Sequence, residues 1–270
     1  MPQAGSTNDV LVQAATGPDA GEWPDLSVVA TDNQVAGRGR LGRTWTAPPG
    51  RSLAISILLK PRGASGDPMP IEHYGMLPLM AGVAMSRVVG GLLESARISD
   101  HRLAVEAVTL KWPNDVLIGD KKVSGILGEL LPSGAGLVLG AGVNLTLTAD
   151  ELPTPTATSL ALAGVVAVSP DAVLAGYLRD FGALYEKWCA ADGDPVASGV
   201  LEAATRISGT LGRAVRVELP GGAVQTGVAR SIDESGRLVV DVAGTDSPLV
   251  VAAGDVTHLR HDDRGNQETR

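Results

Sequence analysis

Seven consecutive residues, Gly37-Arg38-Gly39-Arg40-Leu41-Gly42-Arg43, carry three glycines and three arginines, and they constrain the fold more than any other stretch of the chain. Lacking a Cβ, glycine lets backbone come close to a ligand. Arginine guanidinium groups are planar forks that match phosphate and carboxylate. Ordering so charged a loop costs conformational entropy, which an anionic ligand offsets. The spacing also fits G-x-G-x-x-G, but that dinucleotide fingerprint opens a helix and needs an acidic residue about twenty positions later. Here the segment runs into Thr44-Trp45-Thr46 and Pro48-Pro49-Gly50, and Ser56–Lys60 holds no acidic residue. A Rossmann site is therefore not expected. Taken alone, the segment reads as an anion-binding loop or as a solvated basic loop.

The remaining pattern is α+β. Ser6-Thr7-Asn8-Asp9 opens a short helix that Gly17 stops. Ser27–Thr31 reads as a strand and Asp32–Gly50 as one long loop. Leu53, Ile55, Ile57 and Leu59 share a face, which marks Ser52–Leu59 as a strand. Ile71–Arg97 reads as a long buried helix, with Pro78 near its start or kinking it. Strands are expected at Ala107–Lys111, Val116–Ile118, Lys122–Leu131 and Leu137–Leu147, with turns at Gly119-Asp120-Lys121 and Ser133-Gly134-Ala135-Gly136. Helices follow at Asp171–Ala190 and Pro195–Thr205. Beyond Ile207, short strands at Ala214–Leu219, Gln225–Ile232, Arg237–Val242 and Leu249–Ala252, with turns at Pro220-Gly221-Gly222 and Glu234-Ser235-Gly236, predict a small β-barrel. The layout expected is a catalytic domain over 1–205, a barrel over 206–260 and a disordered tail over 261–270.

Composition narrows the function classes. Apolar residues are 44% and charged residues 19%, as in soluble globular chains. Aromatics at 3% put the core on Leu, Val, Ile and Ala. No run of about 18 apolar residues predicts a membrane span, and Met1–Asn8 lacks the parts of a secretory signal. The single Cys189 forms no internal disulfide, is compatible with the cytoplasm and reads as a small core residue. A net charge of −8 opposes generic nucleic-acid binding. P-loop, G-x-S-x-G and H-E-x-x-H motifs are absent, and the scattered His73, His101, His258 and His261 give no basis for a zinc site or a Ser-His-Asp triad.

Two further segments carry chemistry. In Lys111-Trp112-Pro113-Asn114-Asp115, proline forces extended or turned backbone, and a lysine, an amide and a carboxylate past a strand end suit a nucleotide with Mg²⁺; an ordinary Asx turn is the other reading. In Lys121–Glu129, Lys122 begins a strand while Gly125 and Gly128 leave space above the sheet; the lysine pair also reads as a solvated turn.

In this order, Ser6-Thr7-Asn8, Gln34 with Gly37–Arg43, Thr44-Trp45, Lys111–Asp115, Lys122–Leu130, Gly140–Asn144 and Ala157–Leu160 resemble the biotin protein ligase family, of the monofunctional type without a DNA-binding domain. The resemblance implies a class II synthetase-like mixed or antiparallel sheet with helices and an SH3-like C-terminal barrel. It implies that biotin and ATP, with Mg²⁺, form biotinyl-5′-AMP. The biotinyl group then passes to a lysine of the biotin carboxyl carrier domain of acetyl-CoA carboxylase and related carboxylases. Ser6, Thr7, Asn8 and Gln34 would bind the ureido head of biotin, and Gly125, Gly140 and Gly142 would floor its pocket. Gly37, Arg38, Gly39 and Arg40 would fold over biotin and the adenylate. Lys122 would lie between the biotin carboxylate and the α-phosphate. Arg40, Arg43, Trp45, Lys111, Asn114, Asp115 and Asn144 would line the nucleotide side. Arg38, Arg40, Lys122 and Asp115 are the expected catalytic set, Asp115 assisting deprotonation of the acceptor ammonium; no metal ligand is assigned.

The resemblance also implies a strand and helix ahead of Ser6, which five residues cannot supply, and no operator binding without a winged-helix domain. A monomer or weak homodimer is expected, with neither a specific nucleic acid nor a membrane as partner. Lipoate protein ligase, a biotin binder without ligase activity, and a nucleic-acid-binding module using Arg38–Arg43 are the alternatives. The polar head-binding set and the intact arginine–glycine loop favour biotin over lipoate.

Overall fold

The computed structural model describes residues 1–102, 106–132, 134–219, 222–245, 247–252 and 254–259. The expected tail 261–270, Pro220 and Gly221 of one expected turn and Ser133 of another lie outside the described residues. In chain order the elements are α1 (Thr7–Thr16), β1 (Val28–Thr31), β2 (Gly37–Arg38), β3 (Thr44–Trp45), β4 (Ser52–Leu59), α2 (Met76–Ser99), β5 (Val108–Lys111), β6 (Asp115–Ile118), β7 (Lys121–Leu130), β8 (Leu137–Asn144), α3 (Pro170–Ala190), α4 (Val200–Arg206), β9 (Ala214–Glu218), β10 (Val224–Ile232), β11 (Leu238–Asp241), β12 (Leu249–Val251) and β13 (Asp255–His258).

Six strands form one antiparallel sheet in the order β1-β4-β8-β7-β6-β5. Alternation along β4 divides its two faces. Leu53, Ile55, Ile57 and Leu59 join the main apolar cluster with α2 and α3. Leu58, on the opposite face, packs with Leu11 of α1, Leu131 and Val138. That opposite face otherwise carries Ser52, Ala54 and Ser56, paired with Asn144, Gly142 and Gly140 of β8. Small residues facing one another across two strands leave a hollow where larger ones would fill it.

Helix α2 begins at Met76, later than expected, behind a 3₁₀ turn at Ile71–His73. Pro78 falls in its first turn, where backbone N–H groups have no helical acceptor and a missing one costs little. By length and composition the helix could cross a bilayer, but it is a mostly buried core helix lying against the sheet and α3. Fully burying one of its leucines contributes about 1.5–3 kcal/mol. On α3, the rings of Tyr177, Phe181, Tyr185 and Trp188 follow one another with centroids 6.0, 5.8 and 6.2 Å apart, the middle pair stacked and the outer two tilted.

Several expectations are corrected. The long loop over Asp32–Gly50 contains a short hairpin, β2 paired with β3, closed by a 3₁₀ turn at Arg40–Gly42 in which Leu41 and Gly42 take positive φ. The helix expected from Pro195 starts only at Val200, because Gly199 at φ 75 is left-handed. Strand β8 ends at Asn144 rather than Leu147. The C-terminal unit is an antiparallel sheet of five strands, β12-β11-β10-β9-β13, and β13 was not foreseen. Val215, Val217 and Leu238 of this sheet share the apolar cluster of the main sheet. Trp112 ties the two units together, its backbone N–H donating to Thr210 Oγ1 at 3.0 Å and its indole Nε1 to Gly236 O at 2.9 Å.

Candidate active site

A cavity of about 870 Å³ opens on the small-residue face of the main sheet. Of the site residues expected from sequence, all but Gly37 line it. Gly37 instead lets the hairpin pack closely, since a Cβ there would run into Gln34 Nε2 and Trp45 O.

One end of the cavity is a network of hydroxyl and amide groups. Ser6 caps α1, accepting from Asp9 N at 3.4 Å. Thr7 donates to Gln34 Oε1 through its backbone N, 2.9 Å, and its Oγ1, 3.1 Å. The fully buried Ser56 Oγ lies 2.7 Å from Thr7 Oγ1 and 2.6 Å from Asn8 Oδ1. Asn8 Nδ2 donates to Glu129 Oε2 at 2.6 Å and to Leu127 O at 3.4 Å, fixing which way the amide points. Gly140 makes this possible, since a Cβ there would strike Asn8 Oδ1. Arg38 reaches the same network, pairing with Asp9 and with Glu129 Oε1 at 2.8 Å.

Lys122 stands at the centre. Strand β6 pairs Asp115 with Gly125 and Val116 with Ser124, but Leu117 with Lys122, so Val123 is bulged out. A bulge re-aims the side chains beside it. Lys122 and Gly125, three apart and on opposite faces of a regular strand, thereby face the same way as Asp115. Lys122 Nζ lies 2.6 Å from Asp115 Oδ1, which is buried and has the lysine as its charge partner rather than an aligned hydrogen-bond donor. The lysine backbone is clamped as well, its N–H donating to Thr156 O and its C=O accepting from Thr158 N. Trp45 covers this region, with Lys122 Nζ 5.6 Å from its ring centroid, a cation–π distance. A Cβ on Gly142 would come within 2.6 Å of the Trp45 ring, and one on Gly125 within 3.2 Å. Expected on the nucleotide side, Trp45 lies against Gly125 and Gly142, two of the three glycines expected to floor the biotin pocket. Its indole Nε1 is buried without a partner among the described residues.

At the far end, Arg40 donates to Asn114 Oδ1 at 3.1 Å and to Gly254 O of the C-terminal sheet at 2.8 Å. Asn114 donates in turn to Ile126 O, and Asn144 to Thr158 O, each at 2.8 Å. Lys111, Asp120, Arg213, Thr257 and His258 complete the wall. Burial, then the charges of Lys111 and Arg213, depress the His258 pKa to about 4 against an opposing pull from Asp120. Cys189 is half-buried on α3, outside the cavity, its thiol pushed up by burial.

Sequence reasoning did not single out Asp9, Ser56, Glu129, Arg213 or His258. Glu129 had a signal, since Gly125, Leu127 and Glu129 alternate onto one face of β7. The others depend on contacts between distant segments.

The Biotin/lipoate A/B protein ligase family matches residues 5–144, and the Biotin protein ligase C terminal domain matches residues 210–259. The biotin–[acetyl-CoA-carboxylase] ligase of Mycobacterium tuberculosis is 38% identical over 96% of this chain and 87% of its own. The chain belongs to the biotin protein ligase family. Another family member, the bifunctional ligase/repressor BirA of Escherichia coli, is 31% identical over 56% of this chain, and the match spans only 41% of BirA. Among biotin protein ligases of solved structure, that of Aquifex aeolicus with biotin and ATP superposes with a TM-score of 0.70 at 24% identity, covering 96% of this chain and 97% of that one. The Leishmania major biotin protein ligase with biotinyl-5-AMP gives 0.58 at 26% identity, covering 96% of each.

Proposed function

We propose that the chain converts biotin and ATP to biotinyl-5′-AMP and pyrophosphate, then transfers the biotinyl group to a lysine of the biotin carboxyl carrier domain of acetyl-CoA carboxylase and related carboxylases. The observation that carries this reading is the order of groups along one cavity: a polar head cluster, then Lys122, then Arg40 with Asn114. Ser6, Thr7, Asn8 and Gln34 present donors and acceptors suited to a ureido ring, whereas a dithiolane would call for apolar walls. Gly125, Gly140 and Gly142 keep the floor low beneath it.

A carboxylate acylates nothing until it carries a good leaving group. The biotin carboxylate oxygen attacks the α-phosphorus, the bond to the β-phosphate oxygen breaks and pyrophosphate departs. Two anions must meet, so Lys122, Arg38 and Arg40 neutralise charge there. Lys111, Arg43, Asn114, Asp115 and Asn144 hold the nucleotide, and the Trp45 indole donor awaits an acceptor from substrate. The hairpin bearing Gly37, Gly39 and the exposed Leu41 closes over the mixed anhydride and keeps water from it. The carrier amine, its proton taken with the help of Asp115, then attacks the carbonyl and AMP leaves.

Mg²⁺ fits as a companion of ATP. Among the described residues no cluster of three His, Cys, Asp or Glu is present, and Asp115 and Asp120 are the cavity-lining carboxylates. Magnesium takes one or two carboxylates plus substrate phosphates and would neutralise phosphate charge. The reading extends to a cytoplasmic monomer or weak homodimer acting on carriers rather than on a specific nucleic acid or a membrane; the net charge of −8 supports the nucleic-acid part. Division into a ligase unit over 1–205 and an SH3-like unit over 206–260 belongs to the same reading.

The test incubates the protein with biotin, Mg²⁺-ATP and a purified biotin carrier domain, beside a tube with lipoate and a lipoyl domain, and reads intact mass. One biotinyl addition, lost when the carrier lysine is replaced, is expected. Addition in the lipoate tube alone, or in neither, overturns the assignment.

A further inference from the structure

We propose that His258 of the C-terminal sheet, together with Lys111 and Arg213, forms a subsite for the pyrophosphate end of ATP. This deepens, and rests on, the ligase reading above. Strand β13 pairs with β9, placing His258 opposite Val215. His258, Arg213 and Lys111 all line the active-site cavity.

The tautomer of the ring follows from its neighbour. Thr210 is fully buried, and its Oγ1 accepts the Trp112 backbone N–H at 3.0 Å. A buried hydroxyl proton needs an acceptor. Among the described residues that acceptor is His258 Nε2, 3.0 Å away. Nε2 therefore bears no proton and Nδ1 carries it, with no hydrogen-bond partner for Nδ1 among the described residues. Burial, Lys111 and Arg213 keep the ring neutral at neutral pH, with only Asp120 pulling the other way.

A neutral N–H donor beside two cations suits a polyanion. Phosphate oxygens take the charges of Lys111 and Arg213 and the Nδ1 proton, without having to protonate the ring. Arg213 is only loosely engaged beforehand, 3.6 Å from Asp120. At the opposite end of the cavity the hydroxyls and amides are joined by one cation, Arg38, which is already paired with Asp9 and Glu129. The departing pyrophosphate is thus held between Lys111 of the main sheet and His258 of the C-terminal sheet, with Arg213 beside them.

Biotin-dependent ATP–pyrophosphate exchange tests this in the wild type, His258→Ala and His258→Gln. Loss of a donor to a charged oxygen should raise the KM for ATP and for pyrophosphate by roughly tenfold or more in His258→Ala, with the KM for biotin unchanged. His258→Gln, which restores an N–H donor, should recover part of the loss. A second readout is the ¹⁵N spectrum of the His258 ring at neutral pH, expected to show the Nδ1–H tautomer and to shift when inorganic pyrophosphate is added. Unchanged KM values for ATP and pyrophosphate in His258→Ala, or a ring that does not respond to pyrophosphate, overturns the subsite while wild-type exchange leaves the ligase reading standing. Absence of exchange in the wild type overturns the ligase reading itself, and the subsite with it.

Discussion

Lys122 Nζ and Asp115 Oδ1 are 2.6 Å apart because a bulge at Val123 turns the lysine onto the face that Asp115 occupies. The pair holds the lysine extended over the sheet before any substrate arrives. Lys122→Ala removes the cation at which carboxylate and phosphate meet, and adenylate formation should fall by about 100-fold or more. Asp115→Asn should slow both half-reactions, adenylate formation through a less constrained lysine and transfer through loss of the base. Rapid-quench measurement of each half-reaction separates the two. Normal transfer from preformed biotinyl-5′-AMP by Asp115→Asn would retire its role as base and leave only the anchoring of Lys122.

The glycines of the floor are required by the protein's own side chains, which gives a graded series. A Cβ at Gly140 would overlap Asn8 Oδ1, and one at Gly142 would come within 2.6 Å of Trp45, whereas one at Gly128 would meet Leu137 at an ordinary 3.4 Å. Overpacking costs about 1–3 kcal/mol, so Gly140→Ala should weaken biotin binding by roughly tenfold or more. Gly142→Ala should displace the Trp45 ring and impair adenylate formation as well. Gly128→Ala should leave both unchanged. Calorimetric titration with biotin distinguishes them, and an equal effect at all three positions would refute the packing account.

Ser56 presents the complementary case of a missing polar atom. Its buried hydroxyl lies between Thr7 Oγ1 and Asn8 Oδ1. Removing one partner of a buried hydrogen bond costs about 1–3 kcal/mol. Ser56→Ala should lower the urea midpoint by a corresponding amount and weaken biotin binding, because the Asn8 amide loses the contact that fixes its oxygen. Unchanged biotin affinity in a folded Ser56→Ala protein would show that Glu129 and Leu127 orient Asn8 without it.

What the sequence discloses follows the range of the interactions. Alternation over Leu53–Leu59 and the polar start at Ser6 are local, and both match the structure. The family resemblance likewise anticipated many of the residues that surround the cavity, though not Gly37's place outside its lining. Register is not local: no pattern within Lys121–Leu130 announces that Val123 is extruded, since that depends on how β6 meets β7. Pairing of Arg38 with Asp9 and Glu129 joins three distant segments. His258 gave no signal because the short β13 is held by pairing with β9 rather than by a distinct apolar pattern.

The depressed pKa of His258 also sets a sign for stability against pH. In the unfolded chain this imidazole takes up its proton near its ordinary value of 6.5, whereas in the folded protein it does so only near 4. Between those values the unfolded state binds more protons, so lowering the pH draws the equilibrium toward unfolding. The contribution is fully present above the ordinary value, declines as pH falls toward 4 and is flat below it. Replacing the ring by a side chain that does not titrate removes this slope and leaves the carboxylates to act alone. Urea unfolding of wild type and His258→Gln, compared at about pH 7 and about pH 5, should therefore show a smaller loss of stability in the variant on acidification. Equal losses in the two proteins would mean that the folded ring titrates at its ordinary value, and that neither its burial nor the charges of Lys111 and Arg213 hold it neutral.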